Sequence, residues 1–197
     1  MSKTVDYYFT PVSPWTYLGH DRFVAMAKRR GASVNVKPVD LARVFPVSGG
    51  LPLAKRAPQR QAYRLVELKR WSEFLGVPLT LKPKFFPVPA EEAALWIIAV
   101  GAAGGSGAAL ALAGALMRAC WAEEGDISDS ATLARIAAQC GVAAPGEQAR
   151  AAAKATFDAY TQEAIDLQVF GAPSYVYKGE IFWGQDRLDF LDRALEK

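Results

Sequence analysis

Cysteine and histidine are the scarce residues in this 197-residue chain: two cysteines, Cys120 and Cys140, and one histidine, His20. Neither cysteine lies in a Cys-x-x-Cys pair, and both fall in apolar helical patterns. We read them as buried, inert thiols of a cytoplasmic protein. One histidine without a cysteine cluster leaves no raw material for a zinc site or a histidine-based triad. His20 lies inside a helical pattern and reads as a surface or half-buried residue. Charge of one sign is also scarce. The formal net charge is +3, and no basic run is long enough for a nucleic-acid track. Lys28-Arg29-Arg30 closes a helix, where cations favour the dipole. A long leucine-rich run is missing too. The most apolar region, 93–122, is alanine-rich and broken by Gly101, Gly104, Gly105 and Gly107, so it reads as two packed helices rather than a membrane span. Met1-Ser2-Lys3-Thr4 lacks the apolar stretch of a signal peptide.

Val5 to Phe9 combines β-branched and aromatic residues without a breaker, which predicts a strand. Pro14 to Arg30 has helical spacing of Tyr17, Leu18, Phe23, Val24 and Ala27, with Gly31 as the stop. Ser33 to Val39 alternates as a second strand. Together they make a βαβ unit with parallel strands. Asp40 to Pro58 reads as a long, proline- and glycine-punctuated connection, a kind of segment that is more often functional than idle. Arg43, Lys55, Arg56 and Arg60 near it either line an anionic site or are solvated charges. Helices are predicted over 59–75, with Leu65, Leu68, Trp71, Phe74 and Leu75 on one face, then over 91–100, 106–123, 130–139 and 145–168. Residues 78–89 are proline-punctuated and extended. The end of the chain returns to strands. Phe170 to Tyr177 leads into one, Lys178-Gly179-Glu180 turns, and Ile181-Phe182-Trp183 pairs with it as a hairpin. Gly184 to Arg187 starts a final helix with Leu188, Phe190, Leu191 and Leu195 on one face.

That order predicts an α/β, thioredoxin-like fold, with an all-helical insertion between a βαβ half and a ββα half. Residues 1–60 and 169–197 would form the thioredoxin-like domain and 61–168 the helical insertion. Ser13 takes the N-cap of the first helix and Pro14 its first turn. Taken alone, this is either a well-capped helix start or, because helix N-termini hold anions, a site. In the predicted fold Ser13 faces Ala172-Pro173. A cis bond there would free the Ala172 backbone to hydrogen-bond a peptide-like ligand.

The segments 5–9 and Ser13-Pro14-Trp15-Thr16-Tyr17-Leu18 resemble the start of 2-hydroxychromene-2-carboxylate isomerases and kappa-class glutathione transferases, within the DsbA-like branch of thioredoxin folds. The isomerase branch is resembled more closely by Asp40-Leu41-Ala42-Arg43-Val44, Tyr63-Arg64-Leu65, Gly76-Val77-Pro78-Leu79, the stretch 121–127 and Phe182-Trp183-Gly184-Gln185-Asp186-Arg187. The resemblance spans nearly the whole chain. Where the oxidoreductases have Cys-x-x-Cys, this chain has Ser13-Pro14-Trp15-Thr16, so ordinary thiol–disulfide exchange is excluded.

The resemblance implies bound glutathione as cofactor. Ser13 would donate to its sulfur, with Ala172, Pro173, Trp183, Gln185, Asp186 and Arg60 holding the tripeptide. The Asp186 carboxylate would pair the ligand's ammonium; read by itself it is a first-turn acid on the last helix. Arg43, Gly50 and Trp15 are the expected substrate contacts. Two departures stand out. Gly49-Gly50 replaces an Asn common among relatives, and Arg60 replaces a Lys, keeping the charge but changing its geometry. The implied activity is glutathione-dependent isomerisation of 2-hydroxychromene-2-carboxylate in aromatic catabolism, by a homodimer. A glutathione transferase acting on another electrophile, or a thioredoxin-fold binding protein without catalysis, are the alternatives.

Overall fold

Val5, Tyr7 and Phe9 point to one side of a strand and Tyr8 to the other, and all four are fully buried. That two-sided burial makes β1 (Thr4–Phe9) an interior strand of the sheet. The structure is a computed structural model describing residues 3–197; the start of the Met1-Ser2-Lys3-Thr4 stretch lies outside the described residues. After β1 come α1 (Pro14–Arg29), β2 (Ser33–Pro38), α2 (Leu41–Ser48), a 3-10 turn at Leu53–Lys55 and α3 (Pro58–Leu75). Then follow α4 (Glu91–Ala122), α5 (Ser130–Gln139) and α6 (Glu147–Asp166). The chain closes with β3 (Ser174–Tyr177), β4 (Glu180–Trp183), a 3-10 turn at Gln185–Arg187 and α7 (Leu188–Glu196). The sheet order is β2-β1-β3-β4. β1 runs parallel to β2 and antiparallel to β3, which pairs antiparallel with β4. This is the predicted thioredoxin-like arrangement, with helices inserted between the two sheet halves. Lys178 and Gly179 both take positive φ, 51° and 79°, as a two-residue hairpin turn requires.

One face of the sheet carries the larger core. Tyr7 stacks on Phe9 at 4.5 Å and on its cross-strand partner Tyr175 at 5.3 Å. Phe23 of α1, Leu112, Leu116 and Trp121 of α4, and Leu188 and Leu191 of α7 join them. The other face packs Tyr8, Val39 and Val176 against Ala164 of α6. α4 is long and apolar enough, by length and composition, to cross a membrane. Its apolar side chains, Ile97, Leu112 and Met117 among them, are buried in the core instead. Gly105, at φ 80° and ψ 178°, breaks it into the two helices that the glycine cluster predicted.

Several expectations are corrected. The 40–58 stretch is not an irregular connection, because Asp40 caps α2 by accepting the Ala42 N–H at 2.8 Å. Gly49, at φ 76°, ends that helix in the left-handed region, which a residue without Cβ adopts without strain. α3 buries only Leu68; Phe74, on its predicted apolar face, is 79% exposed. Phe190 is likewise exposed, and α7 buries Leu188, Leu191 and Leu195. His20 is neither on the surface nor half-buried: it is a core residue, 3% exposed. Its Nε2 lies 3.0 Å from the Leu110 carbonyl, which only accepts, so Nε2 carries the proton. Nδ1 then accepts from the Tyr7 hydroxyl at 3.2 Å. Cys120 is buried as expected, whereas Cys140 is only half-buried.

Candidate active site

Ser13 holds extended backbone angles, φ −84° and ψ 120°, ahead of Pro14 at the first helical position of α1. Its Oγ accepts the Thr16 N–H at 3.2 Å, the bond an N-cap makes. The hydroxyl proton has no acceptor among the described residues, so it remains available to a neighbour. Although 8% exposed, Ser13 lies on the wall of a cavity of about 950 Å³.

The segment before β3 lines the same cavity. The Ala172–Pro173 bond is cis, as the fold reading predicted; Phe86–Pro87 on another wall is also cis and was not anticipated. The Pro173 carbonyl accepts from the Gly184 N–H at 2.9 Å, and the Gly171 carbonyl accepts from Ser174 Oγ at 2.7 Å. Ala172 makes no backbone hydrogen bond among the described residues, so both its polar groups are open to a ligand. Trp183 and Phe170, half-exposed with ring centroids 4.8 Å apart, form an aromatic lip. Gly171 is required under that lip: a Cβ there would come within 2.6 Å of Trp183 Nε1.

The sequence-predicted residues separate into two groups. Ser13, Trp15, Gly50, Arg60, Ala172 and Trp183 are brought together on the cavity wall. Pro173 sits just behind Ala172. Arg43, Gln185 and Asp186 are not on the wall. Arg43 pairs with Asp158 at 3.0 Å, an ion pair between α2 and α6. Gln185 is 2% exposed, and its Oε1 accepts from Arg22 Nη1 at 2.8 Å, which ties the turn before α7 to α1. Asp186 is exposed and paired with the adjacent Arg187. Gly50 has a packing reason as well: any Cβ there would collide with the Phe45 ring.

Sequence reasoning missed Arg64. This half-buried α3 residue lies on the wall one helical turn beyond Arg60. Its guanidinium lies over the rings of Phe86, at 5.6 Å, and Trp121, at 5.8 Å. Burial, reinforced by the nearby Arg56 charge, pulls its pKa down to about 10, so it stays charged at neutral pH. The clues in sequence were the Arg60–Arg64 spacing and the place of Arg64 in the Tyr63-Arg64-Leu65 segment that carries the resemblance. The acids on the same wall are engaged elsewhere. Asp40 caps α2, and Glu91 pairs with Lys154 at 3.3 Å. Among the described residues no group of three or more His, Cys, Asp or Glu side chains is placed to hold a metal ion. The chemistry open to this site is therefore anion binding and polarisation by a hydroxyl, backbone amides and arginines.

Comparison with known proteins agrees in kind. The family model described as the DSBA-like thioredoxin domain matches residues 4–196. A 2-hydroxychromene-2-carboxylate isomerase of Sphingobium xenophagum is 30% identical over 199 residues, covering 99% of each chain. The solved structure of a selenomethionine 2-hydroxychromene-2-carboxylate isomerase superimposes with TM-score 0.78 at 28% identity, covering 98% of this chain and 94% of that one. Glutathione S-transferase kappa 1 of Caenorhabditis elegans is 32% identical over 82 residues, 41% of this chain and 36% of that one.

Proposed function

This chain belongs to the DSBA-like thioredoxin domain family, and within it to the 2-hydroxychromene-2-carboxylate isomerases; on that premise we propose that it performs the isomerisation with glutathione as cofactor. The observation that carries the reading is Ser13. Its hydroxyl caps α1, keeps its proton free among the described residues and shares the cavity wall with the unpaired Ala172 backbone. The Ala172 backbone would pair the cysteinyl backbone of glutathione in strand fashion. The Ser13 donor and the α1 dipole would favour the thiolate form of its sulfur. Trp183 covers the peptide, and Arg60 takes a carboxylate.

The substrate is an isomer pair, and the chemistry balances within it. Ring opening of the cyclic hemiketal moves its hydroxyl proton to the phenolic oxygen. Bound glutathione would supply a thiolate able to add reversibly at the enone carbon, with the π pair taken up at the ketone oxygen, so that the former double bond could rotate before the C=C bond re-forms and the thiol leaves unchanged. The product is trans-o-hydroxybenzylidenepyruvate. The Ser13 hydroxyl stabilises sulfur on arrival and on departure.

The test is turnover of 2-hydroxychromene-2-carboxylate with and without glutathione, in the native protein and in Ser13→Ala. Undiminished turnover by Ser13→Ala would remove Ser13 from the mechanism. The similarity to a kappa-class transferase favours conjugation as the second reading, and product analysis separates the two: a stable conjugate marks a transferase, recovered free glutathione an isomerase. The same reading carries a cytoplasmic homodimer in aromatic catabolism. Tyr63, Val66 and Phe74 leave apolar surface exposed along α3 for a partner subunit, and sedimentation at micromolar concentration tests the dimer.

A further inference from the structure

We propose that Arg64 is the carboxylate-binding, specificity-determining residue of the cavity, holding the substrate's acid group while glutathione occupies Arg60. The proposal rests on the isomerase reading for the identity of that substrate and for the glutathione at Arg60. Three observations carry it. The guanidinium is half-buried, yet no hydrogen bond or ion pair to it occurs among the described residues. The arginines Arg56, Arg60 and Arg64 share one wall, and both acids of that wall are already engaged, Asp40 with the α2 N-terminus and Glu91 with Lys154. Arg56 turns its Nε to the Leu51 carbonyl at 2.8 Å and so is partly committed, whereas Arg64 is not. A half-buried cation costs desolvation unless something pairs it, and both acids lining the cavity are engaged elsewhere.

The geometry also selects the ligand class. Phe86 and Trp121 lie against the Arg64 guanidinium, leaving its edge to form a planar fork of N–H donors. That fork matches a carboxylate in two-point contact. With Phe86 and Pro87 beside it on the wall, the fitting ligand is a carboxylate attached to a flat, conjugated body.

The experiment compares trans-benzylidenepyruvate with its methyl ester by calorimetry, with and without S-methylglutathione bound. The native protein should bind the acid at least about tenfold more tightly than the ester. In Arg64→Gln that preference should collapse towards unity while S-methylglutathione affinity is retained. Turnover should lose more in KM than in kcat, because the contact exists before and during reaction. Arg64→Lys keeps the charge without the fork and should retain an intermediate preference, which tests the idea even if the Gln variant does not fold. A native protein that binds acid and ester equally overturns the proposal. So does a preference that survives in Arg64→Lys at full strength, or one that Arg60→Gln abolishes and Arg64→Gln does not. Absent turnover would overturn the isomerase reading and leave the acid-over-ester ratio standing.

Discussion

The proposed function gives Ser13 a second job beside its observed helix cap, and two substitutions separate them. Ser13→Ala removes both the cap and the donor. Losing the cap should cost about 1 kcal/mol, or roughly 2–4 °C in Tm for a chain of this size. Losing the donor should lower kcat by about 10²–10³-fold, the scale of a single preorganised hydrogen bond to developing charge. Glycine caps a helix to within a few tenths of a kcal/mol of serine. Ser13→Gly should therefore lose the same activity at nearly native Tm, and an active Gly variant would reduce Ser13 to a cap. His20 gives the second prediction at this scale. Burial holds its pKa below the ordinary 6.5. Below about pH 6.5 the unfolded chain takes up a proton that the folded ring refuses, so stability falls with decreasing pH until the folded pKa is passed. The slope dies away only well above the unfolded pKa of 6.5. Urea unfolding at pH 7.5, 6.5 and 5.5 should show the loss. His20→Gln, whose amide can replace both bonds, should remove that part of it. The sequence placed His20 in a helix but could not bury it, since its partners Tyr7 and Leu110 meet it only through tertiary packing.

At the scale of elements, legibility followed local chemistry. β1, α1 and the β3–β4 hairpin carry their signals in a few adjacent residues: apolar strand residues, a Ser-Pro cap and a Lys-Gly turn. α2 was hidden because Pro46, Gly49 and Gly50 read as loop punctuation, although Asp40 is a proper cap and Gly49 a proper stop. Arg64 was hidden for a different reason. With Glu67 three residues on, it looks like any helical surface arginine, yet Glu67 pairs with Arg70 at 2.7 Å instead. The contact between α1 and the turn before α7 supplies a prediction. A Cβ on Gly19 would stand 2.7 Å from the Gln185 Cβ. Gly19→Ala should destabilise by about 1–3 kcal/mol, the scale of overpacking a tight contact. Gly107→Ala, a helical position with nothing within 4 Å, should stabilise by several tenths to about 1 kcal/mol. Thermal unfolding of the two variants should move in opposite directions.

For the molecule as a whole, the cavity is where three parts of the chain meet. The βαβ half supplies Ser13, the ββα half Ala172 and Trp183, and α3 supplies Arg60 and Arg64. A ligand bridging them should stabilise all three at once, by about 2.7 kcal/mol at a hundred times its dissociation constant. On the proposed reading the reactive thiol arrives with that ligand; of the chain's own thiols, burial pushes Cys120 up to about 12 and raises Cys140 in the same direction. Neither cysteine lines the cavity. Thiolates, not thiols, react with alkylating agents, so the buried Cys120 should resist iodoacetamide at neutral pH. Protein treated with the reagent, freed of it and given fresh glutathione should recover full turnover and the same glutathione-induced rise in Tm. Mass spectrometry on that sample should find Cys120 unmodified. Lasting inactivation after the reagent is removed would mean that a protein thiol takes part, and the borrowed-thiol mechanism would then fail.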